Sequence, residues 1–278
     1  MTDNTPIVET ERVGSVLVIR LASEKTRNSL SNAMRDGLAA AFGEAIQDRS
    51  VRTVCLMAKG SNFCAGGDLK ALDAVRKDPF AVHRRFRDMG QWLLPMMRIE
   101  KPVVVAVRGF AVGGGFGLAL LGDMVIASKT AKFRASWLRL GIMPDALALY
   151  TLPRLVGLAK AKRMFIAEET LDAEQARALD LVTEVVEDDA LEARTLQLAA
   201  SLAEGPAEVW GLTKLILART FENSIDDMFL FEGLGQVVAM GGSEFDARLS
   251  AAQRKEASPP SAGDLLRAAE TKPPGTHS

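Results

Sequence analysis

Twice in its first half this sequence runs from a short apolar, β-branched segment straight into a glycine-rich turn. Val51–Lys59 leads to Phe63-Cys64-Ala65-Gly66-Gly67-Asp68-Leu69-Lys70, and Val103–Val107 leads to Gly109-Phe110-Ala111-Val112-Gly113-Gly114-Gly115-Phe116-Gly117. Apolar runs of this length bounded by turn residues predict buried strands. Glycine opens backbone conformations closed to other residues and lets a ligand approach the main chain. Alone, either glycine run reads as a tight turn or a close helix contact. As a pair, the turns can offer one backbone N–H donor each.

The remaining pattern surrounds these strands with helices. Val13–Leu21 is rich in β-branched residues and predicts a strand. Ser31 stands as an N-cap before Ala33, Met34, Leu38, Ala41, Phe42 and Ile46, which recur at helical spacing. A helix is expected over Phe80–Met97, disturbed by Pro95 and bounded by Pro102, and a short strand over Met124–Ala127. This alternation argues for an α/β core. Beyond Pro153 only Leu181–Val186 reads as a strand, whereas Ala159–Ala167, Asp172–Leu179, Ala190–Glu204, Pro206–Thr220 and Ser224–Met240 read as helices. The expected organisation is an α/β core over residues 1–200, a helical C-terminal part over 201–257 and a mobile tail over 258–278. The tail holds Pro259, Pro260, Pro273 and Pro274 among few large apolar groups.

Composition narrows the partners. The chain is 48% hydrophobic and 25% charged with a net charge of −1, a balance that suits a soluble protein and gives no broad positive field for nucleic acid. Cys55 and Cys64 fit neither a metal-ligand spacing nor a disulfide framework, as in a reducing cytoplasm. Met1–Glu11 lacks the basic start and apolar run of a signal peptide. The longest apolar stretch, Gly109–Leu121, falls short of the ~20 residues a membrane helix needs, so no membrane partner is expected.

The two glycine turns, in this order and at this separation, resemble the paired signatures of the crotonase (enoyl-CoA hydratase/isomerase) superfamily. The resemblance runs from Val13 to about Lys255 and includes Arg27-Asn28-Ser29-Leu30, Lys101-Pro102, Phe133 and Pro153-Arg154-Leu155-Val156-Gly157. It implies the ClpP/crotonase-like fold of the α/β class, a spiral of ββα units with a helical C-terminal part, assembled as a homotrimer or hexamer. It also implies an acyl-CoA thioester substrate whose oxygen is held by the backbone N–H groups of Gly67 and Gly114 as negative charge develops. Ala65, Asp68, Leu69 and Lys70 match the turn that lines the coenzyme A site. Arg27, Arg254 and Lys255 match residues that approach the coenzyme's phosphates. No metal or redox cofactor is implied, and coenzyme A enters as part of the substrate.

Two positions leave the hydratase pattern. Hydratases of this superfamily activate water with two glutamates, and the matching residues here are Gly117 and Trp137, neither of which moves a proton in such a step. Asp145 stands eight residues after Trp137, where the resemblance extends to the 4-chlorobenzoyl-CoA dehalogenase branch. In that branch an aspartate attacks an aromatic acyl ring and a tryptophan eight residues earlier donates a hydrogen bond to it. The histidine that the branch uses for hydrolysis is matched by Gly90, with His83 seven residues earlier. Cys64 is read as a packing residue beside an oxyanion donor, and Asp123 as a cap or hydrogen-bond acceptor.

Three functions stay open at this point. One is a hydratase/isomerase-family enzyme whose chemistry centres on Asp145. Another is an aromatic acyl-CoA hydrolase or dehalogenase with Asp145 as nucleophile. The third is a non-catalytic acyl-CoA-binding protein that keeps the oxyanion pocket without its acids.

Overall fold

A computed structural model describes residues 6–254 and 261–270. The chain opens with β1 (Val8–Val13) and β2 (Val16–Leu21), an antiparallel hairpin in which Val13 faces Val16. Periodicity predicts only the second of these strands. β1 is a sheet edge with Glu9, Glu11 and Arg12 among its residues, and such charges protect an edge while hiding it from an apolar pattern. Helix α1 (Asn32–Gln47) follows, capped as expected by Ser31, whose hydroxyl accepts from the Met34 N–H at 3.2 Å.

The chain then runs through β3 (Thr53–Ala58), α2 (Leu69–Val75), α3 (Pro79–Arg98), β4 (Val103–Val107), β5 (Phe110–Val112), α4 (Gly114–Ala119), β6 (Met124–Ser128) and β7 (Lys132–Arg134). After it come α5 (Ala148–Val156), α6 (Leu158–Ala167), β8 (Thr170–Asp172), α7 (Ala173–Arg177), β9 (Glu184–Val186) and α8 (Leu191–Ala203). The C-terminal helices are α9 (Ala207–Leu217), α10 (Ile225–Met240), α11 (Ser243–Gln253) and α12 (Ala262–Glu270). The main sheet has six strands in the order β1-β2-β3-β4-β6-β9, parallel apart from β1, and β5-β7-β8 form a smaller sheet. Each passage from the large sheet to the small one and back through a helix makes a turn of the expected ββα spiral.

Both faces of the large sheet are covered, which is why its strands read as unbroken apolar runs. On one face Leu17, Ile19, Val54, Leu56, Val103 and Val105 meet Met34, Leu38 and Phe42 of α1 and Leu93 and Met96 of α3. On the other, Val16, Val18, Cys55, Met57 and Val104 meet Leu191, Leu198, Ala199 and Leu202 of α8. The expected boundary at residue 200 thus falls inside α8, a helix whose apolar stripe belongs to the core.

Of the expected tail, residues 258–260 and 271–278 lie outside the described residues, and residues 261–270 carry a capped helix. Ser261 and Asp264 form a reciprocal cap, with Asp264 N–H donating to Ser261 Oγ at 3.1 Å and Ser261 N–H to Asp264 Oδ2 at 2.8 Å. Ala262 and Leu266, one helical turn apart, then pack α12 against the α8 face. Arg194 donates to the Leu265 carbonyl at 2.9 Å and ties the helix down. None of the described helices is long and apolar enough to cross a membrane.

Candidate active site

The site is assembled where the two glycine turns touch. Cys64 N–H donates to the Phe110 carbonyl at 2.9 Å, and Val112 N–H donates back to the Cys64 carbonyl at 3.0 Å, so the two post-strand segments pair directly. Gly66 has φ +92°, and a Cβ there would fall 2.6 Å from the Val112 carbonyl oxygen; only glycine permits both the conformation and the approach. A third segment locks onto this turn. Ala65 N–H donates to Arg27 O at 2.9 Å and Leu30 N–H to Gly66 O at 2.8 Å. Buried Asn28 holds that segment by accepting from Ser23 N–H and donating to the carbonyls of Lys59 and Asn62.

Gly113, at φ +53° and ψ −121°, turns the chain into α4 and makes Gly114 its first residue. The first amides of a helix have no partner within it. Neither Gly67 N–H nor Gly114 N–H donates to a described residue. The point where a Gly114 Cβ would stand lies 3.9 Å from Gly67 N and 3.7 Å from Asp145 Oδ1, with Leu30 Cδ1 at 3.0 Å. Two free amides and one carboxylate oxygen therefore border the same small space.

Asp145 is half-buried and receives the Trp137 indole Nε1–H on Oδ1 at 2.7 Å. Burial pushes its carboxyl above the usual carboxylate range, against the lowering pull of the Trp137 hydrogen bond and of the positive charges of Arg85 and Arg35. The next two residues, Ala146 and Leu147, both have positive φ, 51° and 60°. Consecutive non-glycine residues in this region are costly, and such strain concentrates at functional loops. The loop also occupies the space beside Gly117. A Cβ at residue 117 would meet Ala146 Cβ at 2.8 Å and the Ala146 carbonyl at 2.9 Å.

Trp137 is itself held from behind by a residue that sequence reasoning missed. Buried Glu168 accepts the backbone N–H groups of Trp137 and Arg139 on Oε1, each at 2.9 Å. Burial acts to raise the Glu168 carboxyl, but these N–H donors and that of Leu138 outweigh it and hold the carboxyl below its usual range. Glu168 adopts the left-handed conformation at φ 48°. No spacing rule links it to Trp137, 31 residues away; a carboxylate at the end of α6, where glycine is the unstrained choice, is the signal that was available.

A family model described as Enoyl-CoA hydratase/isomerase matches residues 11–232. The chain is 32% identical to the 1,2-epoxyphenylacetyl-CoA isomerase of Escherichia coli, over 85% of this chain and 91% of that protein. The chain belongs to the enoyl-CoA hydratase/isomerase family. It is also 28% identical to 4-chlorobenzoyl coenzyme A dehalogenase-1 of an Arthrobacter species, covering 90% of this chain and 91% of the other. Among solved structures, the enoyl-CoA hydratase/isomerase of Cupriavidus metallidurans superposes with a TM-score of 0.86 at 33% identity, covering 90% of this chain and 94% of that one. The crotonase fold expected from the paired glycine turns is the fold observed.

In this hydratase/isomerase family member the other residues singled out in the sequence lie in several parts of the fold. Arg27 is exposed and Ala65 half-buried in the turn just described, beside Gly67. Asp68 caps α2, accepting from Lys70 N–H at 2.8 Å, and leaves the side chains of Leu69 and Lys70 exposed on the first turn. Arg254 is exposed at the end of α11, a helix that packs on α10, and Lys255 lies outside the described residues. His83 is exposed on α3, and Gly90 is half-buried two turns further along it. Burial pushes the Cys64 thiol up to about 12, which disfavours a thiolate there and suits a packing role. Asp123 accepts from Val103 N–H at 2.8 Å and from Lys214 Nζ at 2.7 Å, a structural role as expected.

Proposed function

We propose that this protein is an enzyme that transforms an acyl-CoA thioester, with Gly67 and Gly114 N–H groups holding the thioester oxygen and Asp145 carrying the chemistry. One observation supports this reading above the others: Gly67 N and Asp145 Oδ1 lie within 3.9 Å and 3.7 Å of one point beside Gly114. A thioester oxygen held by the two amides gathers the charge of an enolate, which acidifies the carbon next to the carbonyl. Asp145 takes a proton from the acyl chain, the C–H electron pair moves toward the thioester oxygen, and return of the proton to a different carbon shifts the double bond. The raised carboxyl of Asp145 suits a base of this kind. Water addition by two glutamates is not available, since their places are taken by Gly117 and Trp137.

A second reading draws on the 2.7 Å hydrogen bond from Trp137 to Asp145, the arrangement that the dehalogenase branch implies. Here an Asp145 oxygen forms a bond to an aromatic ring carbon, ring electrons move toward the thioester oxygen, and an anion leaves. Water must then cleave the aryl ester. Neither half-buried Gly90 nor exposed His83 supplies the base for that step, so the proton-transfer reading is preferred.

Coenzyme A, on both readings, is part of the substrate, bound near Arg27, Ala65 and Asp68–Lys70, and the protein works as a cytoplasmic homotrimer or hexamer. A panel of aliphatic and aromatic CoA esters, assayed by calorimetry and for turnover, tests the proposal. Binding should favour the CoA ester over the corresponding free acid. Equal affinity for the two would overturn the assignment.

A further inference from the structure

Between α1 and α3 lies a cavity of about 510 Å³, bordered by Asn32, Arg35, Val75, Arg85, Met89 and Trp92. Leu30, just before α1, comes within 3.0 Å of the Gly114 Cβ position, so the N-terminal end of α1, which lines the cavity with Asn32 and Arg35, starts beside the oxyanion turns. Arg35 is 7% exposed, and its guanidinium hydrogen-bonds only to neutral groups: the Ser31 carbonyl at 3.4 Å and the Asn32 side-chain oxygen. Arg85 donates to that same Asn32 oxygen at 3.3 Å. Among the described residues neither arginine is in an ion pair. Asp36 and Asp88 also border the cavity but are exposed. The Arg85 charge acts on Asp145 and on Asp68, which directly follows Gly67, and the Arg35 charge acts on Asp145 as well.

Two guanidinium groups share one amide oxygen and feel Asp36, Asp88, Asp68 and Asp145 only at a distance, with no carboxylate among the described residues in direct contact, which makes an incomplete arrangement. Burial disfavours an uncompensated charge, and an anion that enters the cavity relieves that cost. Carboxylates match the planar guanidinium fork best, through paired N–H donors. Val75, Met89 and Trp92 give the same cavity apolar walls that suit a short carbon chain.

We propose that Arg35 and Arg85 form a subsite for an anionic group on the acyl moiety, so that the substrate is the CoA thioester of an acid bearing a second carboxylate. The inference rests on the acyl-CoA reading and deepens it. The oxyanion turns take the thioester end, Asp145 addresses the carbons between, and the arginine pair fixes the far end. An acyl chain held at both ends presents a defined carbon to Asp145.

The test compares glutaryl-CoA with pentanoyl-CoA, which match in length and differ in the terminal carboxylate. Dissociation constants are measured by calorimetry for the parent, Arg85→Gln and Arg35→Gln. In the parent glutaryl-CoA should bind at least tenfold more tightly, and Arg85→Gln should cut this ratio below threefold. Arg85 is only half-buried, so its variant carries the test even where Arg35→Gln does not fold. A parent that binds both esters equally overturns the subsite while leaving the acyl-CoA reading intact. So does an Arg85→Gln variant that keeps the parent ratio and loses affinity for both esters and for free coenzyme A alike, because the arginine then meets a coenzyme phosphate. If neither ester binds better than its free acid, the acyl-CoA reading itself fails and the subsite falls with it.

Discussion

The Trp137 indole N–H and the Asp145 Oδ1 atom are 2.7 Å apart, and that single bond joins the post-β7 turn to the loop before α5. An indole donates one hydrogen bond and accepts none, so it orients the carboxylate without competing for its proton. The oxygen it holds, Oδ1, is the one that borders the space beside Gly114. Trp137 is buried, with its ring tilted against Phe165 at 5.9 Å between centroids, and it has little room to follow Asp145 if that side chain swings away.

Asp145→Asn should remove turnover while leaving CoA-ester affinity within a few-fold of the parent. Loss of a general base typically costs ~10²–10⁴ in rate. The same change should stabilise the fold at neutral pH. A carboxyl raised by burial favours its protonated form in the folded state, so its contribution is fully present below the unfolded-state pKa and is lost as pH rises through the folded one. Thermal melts should therefore coincide for parent and variant in acid and separate, with the variant higher, toward pH 8. In the parent, kcat/KM should rise with pH through a value above the usual carboxylate range, and full activity in the variant would reduce Asp145 to a loop residue.

Glu168 should behave as a positioning residue for this pair. Removing its carboxylate frees the N–H groups that it accepts and lets the Trp137 turn relax; Glu168→Ala should cost ~1–3 kcal/mol for the buried donors left unpaired. A structural role alone predicts only lower stability. Positioning predicts more: the acid limb of kcat/KM should move to higher pH, because Trp137 favours the ionised form of Asp145, and Glu168→Gln, which keeps an acceptor oxygen, should recover part of the shift. An unmoved pH limb in a folded Glu168→Ala variant would refute it.

Much of the scaffold was legible because the physics is local. Both strand-to-turn passages, the Ser31 cap, the helix with Pro95 and the Trp137/Asp145 pair stand where the sequence places them. Three kinds of feature were not. The strands β5, β7 and β8 have three residues each, too few for a periodicity. The charges of edge strand β1 mask its conformation. Glu168, Arg35 and Arg85 reach the site only through tertiary contacts, and each taken singly is an ordinary charged residue on a helix or at its end.

Self-association is the expected fate of α10. The helix has no buried residue, yet Ile225 is 85% exposed and Phe229, Leu230, Leu234 and Val237 are exposed with it. An apolar surface of this extent on one helix marks an interface. Light scattering at micromolar concentration should give three or six times the chain mass, and Phe229→Asp should shift the distribution toward the monomer. A parent that is already monomeric would contradict the expected assembly.

Restoring a glutamate at residue 117 should fail to create a hydratase, and the reason lies in the packing around Asp145. Crotonyl-CoA hydration by the parent should be slow or undetectable, since neither Gly117 nor Trp137 activates water. If side-chain identity were all that mattered, Gly117→Glu would gain at least part of the lost activity. The backbone argues otherwise: a Cβ at residue 117 stands 2.8 Å from Ala146 Cβ and 2.9 Å from the Ala146 carbonyl, so one of the two segments must move. Ala146 and Leu147 already sit at positive φ and have few conformations to move into. Forcing atoms into a packed site usually costs ~1–3 kcal/mol, and here the displacement falls on the residue next to Asp145. Gly117→Glu should therefore lower the melting temperature and reduce whatever turnover the parent shows, with no gain in crotonyl-CoA hydration. The compensating change is on the other side of the contact: Ala146→Gly removes the opposing Cβ, and in the double variant the stability loss should shrink. Hydration appearing in Gly117→Glu at ordinary hydratase rates would mean that the Asp145 loop is free to yield, and that Asp145 is not what this pocket was shaped to hold.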